Sequence, residues 1–435
     1  MTAVLLLGFV VLMLAGVPVA LAMIVASLAY VMLSGTVPDF VVIHRMYGGI
    51  DSFPLLAVPF FILAGNLMNS AGITNRIYNF ALALVGWLKG GLGHVNIVGS
   101  MIFAGMSGTA IADAAGLGTI EIKAMKDHGY PIDFSVGVTA ASATLGPIIP
   151  PSLPFVIYGM MAGVSIGQLF LAGVIPGIVM GVFMMATVTW YAHRRNYGRD
   201  ATFSWSALVR TGADAFLAMM TPVILLGGMT LGVFTPTEGA IIASAYALIL
   251  GLAWYRTLDW RMLAKISMDT IETTATVLFI VAAASIFGWL LTVTRVTDAV
   301  AVWVLSFTHA PWVFLLLANV LMLVIGCFLE PVAAITLLVP ILVPICQKLG
   351  IDLVHFGLVM VLNLMIGLLH PPLGTVLFVL SRTARLSVER TTMAILPWLV
   401  PLFAALIVCT YVPEIVLWLP KHSAAMSDAL GSLFK

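Results

Sequence analysis

The sequence predicts an all-α polytopic membrane protein, an inverted-topology repeat with two re-entrant helical hairpins and two broken helices. Three observations predict it. Of 435 residues, 62% are hydrophobic and 9% charged, and apolar runs long enough to span a bilayer recur from end to end. Two apolar pieces, 92–127 and 312–347, carry small or polar residues at their centres. Two other crossings are interrupted by glycine and proline at corresponding places, "TLGPIIPPSLP" at 144–154 and "MIGLLHPPLGT" at 365–375.

Hydropathy places full crossings at 3–34, 54–72, 132–162, 168–192, 212–232, 238–255, 271–293, 352–381 and 392–419. Residues 3–34 lack a basic leading segment and outrun a signal-peptide core, so they read as a retained crossing. Gly16 to Pro18 is its weak point, where it would split into two short helices. The centre of 92–127 is "GMSGTAIAD" (105–113), and that of 312–347 is "GCFLEP" (326–331). An arm of about 14 residues on each side gives roughly 21 Å of helix against a hydrocarbon core of roughly 30 Å, so both pieces read as hairpins that enter and return. The chain then divides into scaffold helices and a first arm (1–91) and a first repeat core (92–192: hairpin 92–127, broken helix 132–162, closing helix 168–192). A cytoplasmic loop with a scaffold helix pair (193–270) and a scaffold helix with a second arm (271–311) follow. The second repeat core is 312–419 (hairpin 312–347, broken helix 352–381, closing helix 392–419), and 420–435 is a tail.

A formal net charge of +1 and the lack of a basic block exclude nucleic acid as a partner. Lysine and arginine placement orients the chain, because these residues collect on the cytoplasmic side. In this layout 14 of the 19 cations fall inside, leaving Arg45, Arg295, Lys348, Lys421 and Lys435 outside. The first hairpin then enters from the cytoplasm and the second from the opposite side, with the N-terminus inside and the C-terminus outside. Cys327, Cys346 and Cys409 have no metal-ligand spacing and read as core.

Shifting the sequence by 221 positions superimposes Gly105 on Gly326, Gly129 on Gly350, Gly146 on Gly367, Pro150 on Pro371, Pro151 on Pro372 and Pro176 on Pro397. Copies that start on opposite sides of the membrane make an inverted repeat, the plan of many secondary transporters. Proline removes a backbone donor and breaks the helix, so each break leaves carbonyls without partners at membrane depth. Irregular backbone survives there only against protein or a water-filled cavity, so the breaks should face the hairpin tips. Unwound carbonyls and half-helix C-termini suit a small cation, and half-helix N-termini suit anionic groups.

Several side chains are candidates on this ground. Ser107 and Thr109 offer hydroxyl oxygen at the first tip, against the alternative of small-residue helix packing. Glu330 is an ionisable group at membrane depth, suited to substrate, a cation or a proton, or else to bonding backbone at its own tip. Asp113, one turn after Thr109, faces the same cavity or caps nearby backbone. His370 has no second ligand nearby and reads as a packing or hydrogen-bonding residue rather than a metal ligand. Asn363 reads as core. No nucleophile with its base, phosphate-cradling loop or redox centre is present in the pattern, which argues against an enzyme.

The stretches "FAGMSGTAIADAAGLGTIEIKAMKDHGYP", "ATLGPIIPPSLPFVIYG", "GCFLEPVAAITLLVPILVPI" and "LNLMIGLLHPPLGTVLFV" resemble the large, DctM-like membrane subunit of tripartite ATP-independent periplasmic (TRAP) transporters, over essentially the whole chain. The resemblance implies sodium-driven secondary import of an organic acid anion across the bacterial inner membrane. A periplasmic substrate-binding protein would deliver the anion, and a small four-helix membrane subunit would accompany this one in the lipid bilayer. It implies sodium ions as coupling ions and no organic cofactor. One sodium site would lie where Ser107 meets Gly146, Ile149 and Pro151. The other would lie between Gly326, Glu330, Gly367, His370 and Pro372. Substrate would sit between the tips, with Thr109, Asp113, Ser152, Glu330 and Thr375 as contacts. At Glu330 the family commonly has Asp, so the role of that position does not carry over directly. The expected mechanism is an elevator, in which hairpins and broken helices move past a scaffold. The alternative is a stand-alone carboxylate/sodium symporter or sodium/proton exchanger of the same plan. C4-dicarboxylates, sialic acids, sugar acids and keto acids are all compatible substrates.

Overall fold

The computed structural model describes residues 2–35, 37–371 and 374–433, with side chains through residue 423, and every extended element among them is a helix. The first half contains α1 (Thr2–Leu14), α2 (Val19–Ser34), α3 (Phe40–Ile50), α4 (Ala57–Ser70, entered through a 3₁₀ turn Phe53–Leu56), α5 (Ile73–Val85), α6 (Gly91–Ser107), α7 (Ala110–Ala115), α8 (Leu117–Asp127), α9 (Ile132–Ala143), α10 (Leu153–Ala162) and α11 (Ile166–Arg194). The second half contains α12 (Trp205–Thr230), α13 (Pro236–Ile249, continued by a π-helical turn Leu250–Trp254), α14 (Trp260–Val293), α15 (Val296–Phe307), α16 (Pro311–Gly326), α17 (Pro331–Lys348), α18 (Leu353–Gly367), α19 (Thr375–Ala384), α20 (Val388–Tyr411) and α21 (Pro413–Leu433).

Seven helices are long and apolar enough to cross a membrane by length and composition: α4 with its 3₁₀ entry, α11, α12, α13 with its π turn, α14, α17 and α20. Their outward faces carry large apolar side chains such as Val182, Val223, Ile271 and Val400, each more than half exposed, which water would not tolerate in such numbers and lipid does.

Three expected elements are corrected. The single crossing 3–34 splits at its weak point into two helices, α1 and α2, because Gly16 takes a left-handed φ of 83° at the corner and Pro18 caps the start of α2. The pair folds back on itself, with Gly8 packed against Ala26, so residues 2 and 34 lie at the same end of the hairpin. The crossing 392–419 followed by a tail is likewise two helices, since Val412 leaves helical geometry before Pro413 starts α21. The crossing 271–293 is only the C-terminal part of α14. At 34 residues that helix is roughly 51 Å long, well beyond a roughly 30 Å core.

Shifting by 221 residues carries α2 onto α13, α3 and α4 onto α14, α5 onto α15, α6 onto α16, α7 and α8 onto α17, α9 onto α18, α10 onto α19 and α11 onto α20. Packing follows the same exchange. Helix α10 lies on α17 and α19 on α7; α4 packs on α13 and α14 on α2; α9 packs on α20 and α18 on α11.

Each hairpin is tied to its own broken helix by buried amides. In the first half Ser142 Oγ donates to Asn96 Oδ1 at 2.6 Å, and Asn96 Nδ2 donates to Thr139 Oγ1 at 2.7 Å. In the second, Asn363 Nδ2 donates to Asn319 O (3.0 Å) and Oδ1 (2.8 Å), and Asn319 Nδ2 donates to Thr410 Oγ1 at 3.1 Å. Polar side chains in an apolar surround find one another because the alternative is an unsatisfied group in a low dielectric. Asn363, expected as plain core, is therefore a tie point. The base of the first hairpin is held by Asp200, whose Oδ2 accepts from Leu92 N (2.9 Å) and from the Tyr130 hydroxyl (2.6 Å) at the N-terminal, positive end of α6.

Candidate functional site

Helix α6 ends at Ser107, and Gly108 turns the chain with φ 64°. That glycine also allows close approach to the first break: a Cβ there would stand 2.9 Å from the Pro151 carbonyl oxygen. Thr109 then caps α7, its hydroxyl accepting from Ala112 N at 3.3 Å. Gly146 packs against the Thr109 carbonyl, where a Cβ would lie 3.0 Å from the oxygen. The first tip and the first break are thus in backbone contact at Gly108–Pro151 and Thr109–Gly146.

Ser107 is 6% exposed, and its Oγ has no hydrogen-bond partner among the described residues. A buried hydroxyl without a partner costs about 1–3 kcal/mol, so it marks a place where a further ligand would lower the free energy. Ile149 does not reach this place with its side chain, which packs on Gly177 of α11; only its backbone belongs to the break. Ser152 caps α10, accepting from Phe155 N at 3.4 Å, and donates to the Pro147 carbonyl. Its hydroxyl is therefore occupied in holding the break.

At the second tip Gly326 and Gly367 touch through their backbones: a Cβ on Gly367 would lie 2.7 Å from Gly326 C and 2.8 Å from its O. A side chain at position 367 would therefore displace main chain, whereas a Cβ on Gly326 would meet Gly367 Cα at 3.3 Å. Glu330 caps α17, its Oε2 accepting from Val332 N at 3.1 Å at the positive end of the helix. His370 Nδ1 lies 2.8 Å from the Pro371 carbonyl oxygen and 3.2 Å from Cys327 Sγ, and Cys327 Sγ donates to Leu323 O at 3.1 Å. The imidazole therefore packs and bonds at the break, and Cys327, expected as core, helps hold it. Thr375 opens α19; its Oγ1 is buried without a partner among the described residues. Pro372 lies outside the described residues.

The tips meet at a cavity of about 50 Å3, lined on one side by Gly108, Thr109 and Ala110 and on the other by Glu330, Pro331 and Val332, with Pro147 and Leu368 from the two breaks. Of the expected substrate contacts, Thr109 and Glu330 line it; Asp113, Ser152 and Thr375 do not. Asp113 is 1% exposed and faces the interior of its hairpin, where Oδ1 accepts from Ser100 Oγ at 3.3 Å. Its neighbour there is Glu121, also 1% exposed, whose Oε1 fills the space left by Gly99; a Cβ on Gly99 would stand 3.0 Å from it. Asp113 of α7 and Glu121 of α8 thus pack against Ser100 and Gly99, consecutive residues of α6, away from the tip. Helical spacing from Thr109 does not place Asp113 at the cavity because Thr109 is the cap, with extended φ −140° and ψ 139°, so its side chain does not share the helical face that Asp113 occupies.

The arrangement gives neutral oxygen donors and a helix-capping hydroxyl on one wall and a helix-capping carboxylate on the other. Hard oxygen ligands suit a small hard cation, and a mixed wall of backbone N–H, hydroxyl and apolar surface suits a small polar organic ligand.

Residues 6–415 match the family described as the tripartite ATP-independent periplasmic transporter, DctM component. The chain is 46% identical over 414 residues, 95% of its length and 97% of the relative's, to the sialic acid TRAP transporter large permease protein SiaM of Vibrio cholerae. It is 40% identical to the sialic acid TRAP transporter permease protein SiaT of Haemophilus influenzae, covering 96% of this chain and 68% of that one. It is 33% identical to the C4-dicarboxylate TRAP transporter large permease protein DctM of Rhodobacter capsulatus, over 97% and 99% of the two chains. Among solved structures, the YdaH transporter of Alcanivorax borkumensis superimposes with a TM-score of 0.61 at 16% identity, covering 84% of this chain and 86% of that one, a likeness of fold.

Proposed function

The chain belongs to the DctM component family of TRAP transporters, a family of transport permeases rather than enzymes, and on that premise we propose that it imports an organic acid anion in symport with sodium across the bacterial inner membrane. The observation that carries the proposal is the meeting of both hairpin tips and both helix breaks at one cavity, beside a buried Ser107 hydroxyl that has no partner among the described residues.

Sodium binds where Ser107 and the Gly146–Pro151 backbone converge, and at the related place between Gly326 to Glu330 and Gly367 to His370, largely through backbone oxygen. The substrate anion binds between Thr109 and Glu330. Sodium orders the tips first, so the two ligands are thermodynamically coupled. The halves form an inverted repeat, supported by the recurrence of helix boundaries at a shift of 221 and the exchanged packing of α10 on α17 and α19 on α7. Hairpins and broken helices form the moving body of an elevator, and α4, α13, α14 and α2 belong to the scaffold. A separate small membrane subunit and a periplasmic binding protein complete the system. Because α1 and α2 form a hairpin, the N-terminal end lies at the same end of that hairpin as Ser34.

Sialic acid is the first substrate to test, on the strength of the 46% and 40% relatives. In proteoliposomes holding the chain with its small subunit, uptake of binding-protein-delivered sialic acid should require an inward sodium gradient. Equal uptake without that gradient would remove the coupling. Uptake by this chain alone, with neither partner, would favour the stand-alone symporter instead.

A further inference from the structure

The closing helices α11 and α20 lie side by side, and a groove runs between them from the end that carries Arg195 and Arg390. Its head is a pocket of about 230 Å3 lined by Asp133, Arg195, Arg390, Tyr191, Pro397 and Trp398, among others. One to two turns further along the same helices, a second hollow of about 480 Å3 is lined by Thr187, Trp190, Tyr191, Pro397, Val400 and Pro401. Tyr191 and Pro397 belong to both, so the two are one groove with a charged head and an apolar length.

The head is built. Arg390 is held by Asp133 through Nε–Oδ1 at 2.9 Å and Nη2–Oδ2 at 3.4 Å, which fixes its fork and leaves further N–H groups to donate. Arg195 lies 5.1 Å above the Tyr191 ring, and Arg194 lies 5.1 Å from the Trp190 ring. The floor is aromatic: Trp398, 1% exposed, stacks on Tyr191 at 5.9 Å and meets Phe134 at 5.6 Å. Two guanidinium groups, Arg195 and Arg390, thus line the cleft with Asp133 as its carboxylate, and Arg194 lies outside it over Trp190. Beyond them the groove edges are apolar and open, with Trp190 53%, Met393 67% and Val400 69% exposed.

We propose that this groove binds a phospholipid with an anionic headgroup, its phosphate against Arg195 and Arg390 and one acyl chain along Trp190, Pro397 and Val400. A soluble anion would use the head and leave the apolar length empty. A neutral lipid would use the length and leave the arginines unanswered. Only an anionic amphiphile matches both ends, and basic pockets between membrane helices beside an indole at the interface are where such headgroups are held. The site is separate from the tips and needs no assumption about what is transported.

The test is native mass spectrometry of the detergent-purified full chain titrated with phosphatidylglycerol, phosphatidylcholine and glycerol 3-phosphate. Phosphatidylglycerol should be retained in preference to phosphatidylcholine. Its affinity should fall about fivefold per arginine in Arg195→Ala and Arg195→Ala/Arg390→Ala, following roughly 1 kcal/mol for each basic residue at an anionic lipid. Val400→Asp should weaken both lipids. Undiminished phosphatidylglycerol binding in Arg195→Ala would overturn the proposal, and so would displacement by glycerol 3-phosphate at matched concentration, which would mark a free-anion site. Among the described residues the Arg195 guanidinium lies over Tyr191, donates to the Tyr197 hydroxyl and holds no ion pair, so its variant carries the test even if the double variant does not assemble.

Discussion

At the first tip the residue that caps the following helix is Thr109, a neutral hydroxyl, and beside it Ser107 Oγ is buried without a partner among the described residues. At the second tip the cap is Glu330, a carboxylate, and the neighbouring Cys327 is already bonded to Leu323 and His370. Both caps face one cavity of about 50 Å3. The same local device, a turn, a cap and a helix N-terminus, thus carries a carboxylate and a bonded thiol at the second tip and two hydroxyls at the first. The second tip is also the tighter, since Gly326 and Gly367 meet backbone to backbone, whereas the first tip meets its break across single carbonyls. The plan is shared between the halves; among the described residues the negative charge lies at the second tip and the unbonded tip hydroxyl at the first.

The harshest way to break the comparison is Gly367→Leu. Its Cβ would stand 2.7 Å from the Gly326 carbonyl carbon, so main chain must move; about 3 kcal/mol of destabilisation is expected, with uptake at background. Thermal unfolding beside transport assays checks it, and retained uptake would mean that the second tip is not tight. Next is Glu330→Gln, which keeps a cap and removes the charge. A stability loss of about 1 kcal/mol is expected from the helix terminus, together with a changed KM for the anion. An unchanged KM would place the substrate away from the second tip. The smallest effect is expected from Asn363→Leu, which removes the tie to Asn319 while leaving the tips intact: about 0.6–2 kcal/mol of stability, read by chemical denaturation, with uptake little altered.

Much of this division was legible in the sequence. The two breaks, the two tips and the 221-residue correspondence follow from glycine and proline placed inside apolar runs, where they have few other uses. The fold of 3–34 was legible only in part: Gly16 and Pro18 marked the weak point, but hydropathy sums apolar residues and does not register a corner made without any polar residue. The direction of Asp113 was hidden for a related reason: a face counted at 3.6 residues per turn is valid only between helical residues, and Thr109, the cap, has extended backbone. Ser107 and Glu330 were visible as candidates, yet their difference was not. Whether a polar atom is left over or already used depends on neighbours brought in from α17 and the breaks, which no local pattern records.

Sodium at the first tip would take the Ser107 hydroxyl as a ligand. Thermal unfolding of the wild-type chain and of Ser107→Ala, titrated with sodium chloride and with potassium chloride, measures whether it does. A ligand bound only to the folded state raises the unfolding temperature with concentration. A sodium-specific rise is expected in the wild type and should be strongly reduced in Ser107→Ala, while the variant without salt is as stable as the wild type or more so, because a buried hydroxyl with no partner among the described residues is gone. An equal rise with potassium, or a full sodium response in Ser107→Ala, would contradict it.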